Sequence, residues 1–311
     1  MTPPPDAGTP SPVPSQLNRP ESDEKARGTR AQHEGSKSLA VNDTLVKRTL
    51  TRIALATIGR INQGYGVCVT VSPHLIIKRS SRVHLTEAAT MAFVAAKTSI
   101  PVPKVYCAFV RNGKTYIVME KMRGHPIPQV WNKLSSSSRE KIFTQLKGML
   151  DELRALPPPN PNAVQSCVGG SLTDCRITHC QPRMGPWTSI QEFHRWLRQN
   201  FDPTAIEQHS HTEEEWNDLL DMNAKHDGPW PPVVFTHADL NPFNIMVDGD
   251  KITGIIDWEF SGWYPHYWEY TTACYGNLGR LWWQDVVDKV LEVKPEEMKM
   301  EVTRQRWWGE F

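Results

Sequence analysis

The strongest constraint on the fold of this chain comes from two short apolar runs near its C-terminal end, separated by a tight turn. Asn244 opens the first run, the turn reads Asp-Gly-Asp-Lys, and Asp257 follows the second run. Apolar runs of this length around an Asp-Gly turn predict an antiparallel hairpin over residues 244–256. Because a hairpin brings its two ends together, Asn244 and Asp257 are expected to lie close to each other.

Two titratable residues precede the hairpin, in the sequence His237-Ala-Asp239. A carboxylate can orient and deprotonate a hydroxyl group, and amide and carboxylate oxygens suit Mg²⁺. Such a set fits phosphoryl transfer, which depends on positioning and charge neutralisation. We therefore interpret Asp239 as a catalytic base, with His237 bracing its loop by hydrogen bonds. Asn244 and Asp257 are the predicted Mg²⁺ ligands.

Longer motifs surround these residues. They read His-Ala-Asp-Leu-Asn-Pro-Phe-Asn-Ile from residue 237, Ile-Ile-Asp-Trp-Glu from 255, Gly-Trp-Tyr-Pro from 262 and Trp-Glu from 268. Further segments of the same pattern are residues 100–106, residues 116–120, Asp174-x-Arg176 and Gly185-Pro186. Together they resemble the aminoglycoside phosphotransferase-like family, particularly its fungal branch of small-molecule kinase relatives. The resemblance covers most of the chain from about residue 41 onward.

The resemblance implies an α+β, bilobal protein-kinase-like fold with a small β-rich N-lobe and a larger helical C-lobe. We assign residues 39–119 to the nucleotide-binding N-lobe. Residues 120–311 are assigned to a C-lobe that carries the catalytic loop, the metal site and the acceptor pocket. Residues 1–38 are rich in Pro, Ser and charge. They are expected to be disordered, because they cannot bury enough apolar surface to offset the entropy of ordering.

Local patterns predict the elements of both lobes. In the N-lobe we expect strands at 65–71, 75–78, 105–110 and 115–119 and a helix at 83–98. In the C-lobe we expect helices at 138–156, 190–199, 212–221 and 281–291, with a long loop at 169–185.

Lys78 ends an apolar strand, and Glu87 lies near the start of the next helix. The resemblance assigns Lys78 to the α- and β-phosphates of ATP and makes Glu87 its ion-pair partner. The connection between them is shorter than in protein kinases, and an ordinary charge at a strand end is the alternative for Lys78. Gly64-Tyr-Gly66 could cover phosphates, although Gly-x-Gly is common in turns.

The nucleotide site is completed by the crossover after residue 119. The resemblance implies that this hinge presents backbone groups to adenine, which assigns Glu120 and Met122 to nucleotide binding. ATP is the expected nucleotide and GTP the alternative. The chain has no Gly-x-x-x-x-Gly-Lys-Ser/Thr motif, so a P-loop is excluded as the source of nucleotide binding.

The composition limits which binding partners and which cellular compartment we expect for this protein. Lys and Arg number 35 against 34 Asp and Glu, and this balance argues against a nucleic-acid partner. We find neither an apolar run of transmembrane length nor a signal-peptide core, so we expect a cytoplasmic protein that does not bind membranes. The six cysteines are expected to be free thiols. A cluster of Cys167, Cys175, His179 and Cys180 lacks the paired Cys-x-x-Cys spacing typical of zinc.

The residues after Asp257 indicate what kind of molecule accepts the phosphoryl group. They lack the long segment ending in Ala-Pro-Glu with which protein kinases dock peptides. We therefore expect a small molecule with a hydroxyl group as substrate, and a monomer or weak dimer. The alternatives are a non-catalytic kinase-like binding protein and, less favoured, a protein kinase. Glu259 could line the acceptor pocket or brace the metal loop.

Overall fold

A four-stranded antiparallel sheet forms the first part of the molecule. The computed structural model describes residues 32–33, 35–61, 67–177, 179–180, 182–203, 212–276 and 279–309. The strands are β1 (Cys68–Ser72), β2 (Leu75–Ser80), β3 (Val105–Arg111) and β4 (Lys114–Glu120), in the order β1-β2-β4-β3. All four predicted strands are confirmed, although the Gly64-Tyr-Gly66 loop and the start of the first predicted strand lie outside the described residues.

Two helices flank this sheet, α1 (Leu45–Ile61) and α2 (Thr86–Lys97). Helix α2 is the predicted helix, and it begins three residues later than expected because residues 83–85 form the connection from β2. Helix α1 was not predicted. Its apolar residues Val46, Leu50 and Ile53 recur at helical spacing but are exposed, whereas the polar residue Thr51 is buried.

The second part of the molecule is mainly helical. Its helices are α3 (Ile127–Val130), α4 (Ser136–Arg154), α5 (Ile190–Leu197), α6 (Glu213–Asp227), α7 (Trp268–Tyr275), α8 (Leu281–Val290) and α9 (Pro295–Trp308). The four helices predicted for this part are confirmed, whereas α3, α7 and α9 were not predicted. In α4, Ile142, Leu146 and Leu150 are buried at helical spacing, as the sequence indicates.

Five short strands complete the architecture. They are β5 (His125–Pro126), β6 (Val234–Thr236), β7 (Ile245–Asp248), β8 (Lys251–Ile255) and β9 (Gly262–Tyr264). Strands β7 and β8 form the predicted hairpin, β5 pairs with β7, and β6 pairs with β9. The residues that follow β6 and β8 lie close together, since Nε2 of His237 lies 3.0 Å from the backbone oxygen of Ile256.

The long connection between α4 and α5 is pinned to the helical part by backbone bridges. Val164 pairs with Trp187, Leu172 pairs with Met184, and Gln165 pairs with Trp263 of β9. The predicted loop at 169–185 is therefore folded back on itself and attached next to β9. This attachment brings its residues beside the loop that follows β6.

Two residues near the N-terminus pack against the first part of the molecule. Gln32 and Ser36 are buried, and Gln32 donates a hydrogen bond to the backbone oxygen of Arg82. Both lie within the 1–38 segment for which composition predicts disorder, and residues Ser36–Leu39 form a 3₁₀ turn.

Within the described ranges, no helix combines the length and the apolar character that crossing a bilayer requires.

The connection between the two parts offers a direct test of this packing. Gly124 has φ of 85°, and an added Cβ would collide with the backbone carbonyl of Val247. We expect Gly124→Ala to lower the free energy of unfolding by about 2–4 kcal/mol in urea titrations. Gly148→Ala is the matched control: it lies inside α4 with open space around it, and should stabilise by about 0.5–1 kcal/mol. Equal urea midpoints for Gly124→Ala and wild type would contradict the packing described.

Candidate active site

The centre of the site is the side chain of Lys78, which is 5% exposed. Its Nζ lies 3.0 Å from Glu87 Oε1, 2.7 Å from Asp257 Oδ1 and 3.0 Å from Glu259 Oε2. Strand β2 supplies the lysine, α2 supplies Glu87, and the loop after β8 supplies the other two acids. The structure thus brings Lys78 and Glu87 together as the sequence predicts, and adds Glu259, whose position the sequence left open.

The charges in this cluster do not balance. Burial opposes the charge of Lys78, but the carboxylates of Glu87, Asp257 and Glu259 together hold its pKa well above the ordinary value. Burial also raises the pKa values of Glu87 and Glu259, against the effect of Lys78. One oxygen from each of the three acids lies within 4.8 Å of the others. Three acids around one ammonium group leave an excess of negative charge that a second cation would relieve.

Asp239 lies in the loop after β6, with its two carboxylate oxygens in different surroundings. Oδ2 accepts hydrogen bonds from the side-chain amides of Asn241 at 3.1 Å and Asn244 at 2.9 Å. Oδ1 faces the guanidinium of Arg176, with 3.8 Å to Nη1. Burial raises the pKa of Asp239 to about 6, an effect that Arg176 opposes and Asp257 reinforces.

His237 connects this loop to the hairpin. The backbone N–H of Asp239 donates to His237 Nδ1 at 3.2 Å, so the ring proton lies on Nε2, which donates to the backbone oxygen of Ile256 at 3.0 Å. The ring also packs edge-on against Trp258, with centroids 4.5 Å apart. Burial lowers the pKa of His237, which keeps the ring neutral. These contacts fit the bracing role that the sequence suggested.

The two ends of the hairpin meet as predicted. The backbone N–H of Ile256 donates to the backbone oxygen of Asn244 at 2.9 Å, which places Asp257 one residue from that contact. The Asn244 side chain uses its amide nitrogen for Asp239, so its amide oxygen faces away from that carboxylate. Asp257 is 38% exposed and its φ is 66°, a left-handed backbone that turns its side chain toward Lys78.

Glu269 of α7 is a site residue whose role the sequence did not reveal. Its carboxylate accepts the backbone N–H groups of His237 at 2.6 Å and Ala238 at 3.0 Å. Ala238 has φ of 64°, and successive N–H groups around a left-handed residue form a concave anion site. Trp268-Glu269 belonged to the resemblance, but only the fold shows that this buried acid holds the loop that carries Asp239.

Glu120 and Met122 lie at the crossover after β4, where the sequence places the hinge. The backbone N–H of Glu120 donates to the backbone oxygen of Lys104 at 2.9 Å, so this N–H already has a partner. The Met122 side chain packs against Gly254 of β8. Both residues line a cleft together with Met149 of α4. Their assignment to the nucleotide stays a prediction.

The cysteine and histidine cluster does not converge on one point. Cys167 Sγ lies 3.5 Å from the hydroxyl of Thr90, and Cys180 Sγ accepts from the backbone N–H of Asp174 at 3.4 Å. His179 Nε2 lies 3.0 Å from the backbone oxygen of Trp196. These side chains are therefore directed at different neighbours.

Comparison with known proteins identifies the class to which this fold and site belong. A model of the phosphotransferase enzyme family matches residues 59–295, and the chain belongs to that family. The solved structure of aminoglycoside phosphotransferase APH(4)-Ia aligns with a TM-score of 0.52 at 14% identity, covering 76% of this chain and 78% of that chain. The predicted α+β protein-kinase-like fold and the predicted family are confirmed.

Two of the similar proteins have names that include a ligand or a substrate. A thermostable mutant of APH(4)-Ia, in a ternary complex with AMP-PNP and hygromycin B, has a TM-score of 0.53 at 13% identity, covering 81% of this chain and 88% of that chain. The homoserine kinase of Zymomonas mobilis is 25% identical over 143 residues, which are 44% of this chain and 43% of that protein. The match therefore spans less than half the length of this curated relative.

The raised pKa of Asp239 predicts how stability changes with pH. An unfolded Asp has a pKa of about 3.9, so the folded protein holds this proton more strongly and loses stability as pH rises through about 6. The Asp239→Asn variant has no carboxyl group to ionise at this position, so it does not lose this stability as pH rises. We expect the variant to be more stable than wild type by about 1–3 kcal/mol at pH 7.5, with a smaller difference at pH 5, in urea titrations.

Asp250→Asn is the control for this pH dependence. Asp250 is exposed, and its hydrogen bond to Lys141 lowers its pKa, so its ionised form stabilises the fold slightly. We expect no stability gain in this variant at pH 7.5. A stability difference between Asp239→Asn and wild type that is the same at both pH values would contradict the raised pKa.

Proposed function

We propose that this protein is an ATP- and Mg²⁺-dependent phosphotransferase that transfers the γ-phosphoryl group to a hydroxyl of a small molecule. The observation that carries the proposal is the convergence of Lys78 with Glu87 and Asp257, beside the half-buried carboxylate of Asp239. A lysine for phosphates, an acid for a metal and a base for the acceptor are the groups that this transfer requires.

The relatives support the choice of nucleotide and acceptor. Aminoglycoside phosphotransferase APH(4)-Ia was crystallised with AMP-PNP, an ATP analogue, and with hygromycin B. The second relative is named a homoserine kinase. Both names describe small acceptors rather than proteins, and they support the same class of acceptor here. ATP is our proposed nucleotide, with GTP as the alternative to compare.

Lys78 would hold the phosphates of the nucleotide. Its ammonium group now contacts three acids, and a nucleotide would compete with Asp257 and Glu259 for it. Glu87 is 2% exposed and belongs to α2, so it would keep Lys78 in place while the other contacts change. This division of roles follows from burial, because only the buried partner is shielded from the site that a nucleotide enters.

The donor set around Asp257 fits Mg²⁺. The carboxylate of Asp257 and the amide oxygen of Asn244 would hold the ion, and the excess of acids over cations near Lys78 supports this assignment. When bound, Mg²⁺ supplies neutralisation of phosphate charge. Glu259 belongs to the same group of acids, so its place beside Lys78 favours the metal side over the acceptor pocket as its role.

Asp239 would act as the base through Oδ1, because Oδ2 is already used by two asparagine amides. The acceptor hydroxyl oxygen attacks the γ-phosphorus and its proton passes to Asp239, while the bond from phosphorus to the bridging oxygen breaks and releases ADP. With a pKa of about 6, Asp239 is mostly ionised at neutral pH and can accept this proton.

The residues after Asp257 favour a small acceptor over a peptide. Strand β9 and helix α7 follow directly, and α7 begins at Trp268. Between Asp257 and α7, all of which is described, there is no room for a peptide-docking segment. The non-catalytic alternative remains an outcome of the experiments below.

Nucleotide binding is the first test. We expect calorimetry to show Mg²⁺-dependent ATP binding by wild type and its loss in Asp257→Ala, which removes the proposed metal ligand. Asp250→Ala is the matched control, because it changes an exposed acid at the other end of the same hairpin. Equal Mg²⁺-dependent binding by Asp257→Ala would refute the metal assignment. Absence of binding to ATP and GTP in wild type would favour the non-catalytic alternative.

Measuring turnover tests the proposed role of Asp239 as the base. We expect a panel of hydroxyl compounds, including amino acids and sugars, to reveal an acceptor whose phosphorylated product is detected by mass spectrometry. Asp239→Asn should then reduce kcat by roughly 10²–10⁴-fold while ATP binding is retained, as expected when a general base is lost. Full turnover by Asp239→Asn would show that another group accepts the proton.

A further inference from the structure

We propose that the outer face of helix α1 binds the surface of an anionic lipid membrane. The outer face consists of the side chains that α1 turns away from the four-stranded sheet. Its apolar side chains would enter the lipid, and the positive charges around them would meet the anionic headgroups. This surface is separate from the active site and assigns the molecule a second interaction.

Helix α1 covers the face of the sheet that lies opposite the active site. Its residues Ala54 and Leu55 pack against a buried cluster of the sheet, formed by Val71, Ile77, Cys107, Phe109, Tyr116 and Val118. Successive side chains of a strand point to opposite faces, so Ile77 and Lys78 of β2 face different ways. Lys78 faces the active site, and α1 therefore lies on the other side of the sheet.

The outer face of α1 carries an apolar stripe. Val46, Leu50 and Ile53 recur at helical spacing and are 68%, 59% and 54% exposed, and Leu45 beside them is 80% exposed. Thr51, by contrast, is buried. Among the described residues twelve large apolar side chains are exposed, and five of them belong to α1. Such a concentration on one helix marks an interaction surface, whereas single exposed apolar residues are ordinary.

Positive charge surrounds this stripe. The sequence of α1 has no Asp or Glu and contains four basic residues, Lys47, Arg48, Arg52 and Arg60. On the sheet, Arg79 lies over the ring of Tyr116, at 5.4 Å, on the side that α1 covers. Arg111 and Lys114 form a cross-strand pair two residues beyond Phe109 and Tyr116, which places them on that side too. The apolar stripe thus lies within a basic surface.

The charge of the whole chain conceals this surface. Residues 39–119 contain eleven Lys and Arg against two acids, although the chain as a whole has 35 against 34. Both acids form ion pairs, Asp43 with Arg48 and Glu87 with Lys78. From the overall balance we expected neither a membrane nor a nucleic-acid partner. The uneven distribution instead favours an anionic partner for this part of the molecule.

The combination of apolar side chains and positive charge selects lipid among the anionic partners. Nucleic acid would attract the basic residues through its phosphates but would leave the apolar stripe in water. The α1 helix of a second copy would bring like charges together, because α1 has no acid. An anionic bilayer satisfies both features of the surface. With 17 residues and four charges, α1 would lie along the bilayer surface without crossing it.

Flotation of the full-length protein with lipid vesicles tests this inference. One set of vesicles is phosphatidylcholine alone, and the other contains about one third phosphatidylserine. We expect wild type to bind the anionic vesicles at least about tenfold more strongly than the neutral ones. Raising NaCl from about 0.1 M to about 0.5 M should release most of the bound protein, because salt screens the attraction.

Variants at exposed positions separate the apolar from the electrostatic contribution. We expect Leu50→Gln to weaken binding to anionic vesicles by about tenfold, and Arg52→Gln by about fivefold. The matched controls are Leu281→Gln, at an equally accessible leucine at the start of α8, and Arg195→Gln, at an exposed arginine of α5. Both controls should bind as wild type does. Circular dichroism verifies that all four variants keep the helical content of wild type.

Several results would overturn the inference. They are failure of wild type to bind anionic vesicles, equal binding to neutral vesicles, and losses in Leu281→Gln or Arg195→Gln as large as those in the α1 variants. Binding of a DNA duplex without binding of vesicles would assign the basic surface to nucleic acid. A dimer in sedimentation velocity that Leu50→Gln dissociates, again without vesicle binding, would assign the outer face of α1 to a second copy.

Vesicle binding can be judged separately from the proposed phosphotransferase function, since it needs neither nucleotide nor acceptor. Loss of vesicle binding in Leu50→Gln would support the membrane surface even if wild type phosphorylated no acceptor. With a soluble acceptor in hand, Leu50→Gln and Arg52→Gln should keep the turnover of wild type, because α1 lies across the sheet from Lys78.

Discussion

The rest of this structure depends on Lys78, whose side chain is buried and forms ion pairs with three acids. Lys78 and Glu87 come from the sheet-rich part of the molecule, whereas Asp257 and Glu259 come from the loop after β8. A buried charge is costly unless it is paired, so Lys78, which is 5% exposed, depends on acids from both parts. The cluster therefore fixes the relative position of the elements that surround the site.

The second half of the site is held by backbone contacts rather than by charge pairs. Glu269 accepts two successive N–H groups from the residues before Asp239, and His237 joins that loop to the end of the hairpin. Ala238 and Asp257 both have positive φ, a conformation that costs energy for residues other than glycine. The surrounding contacts hold these two conformations, and thereby place Asp239 and Asp257 in the same site.

The sequence predicted the parts of the site that depend on local pattern. The hairpin and the contact between its ends followed from two apolar runs and a turn, and Lys78 followed from its place at the end of a strand. Glu269 could not be assigned a role, because its partner Ala238 lies 31 residues away along the chain. Helix α9 was missed because it buries an ion pair, Glu301 with Arg304, so that no apolar stripe marks it.

The central claim is that Lys78 and Asp257 form a nucleotide site whose contacts rearrange when a nucleotide enters. The most direct measurement is a crystal structure of the protein with Mg²⁺ and AMP-PNP. We expect Lys78 to keep its contact with Glu87 and to exchange Asp257 and Glu259 for phosphate oxygens, while Asp257 and Asn244 bind the metal. A nucleotide bound elsewhere, with Lys78 still held by all three acids, would contradict it.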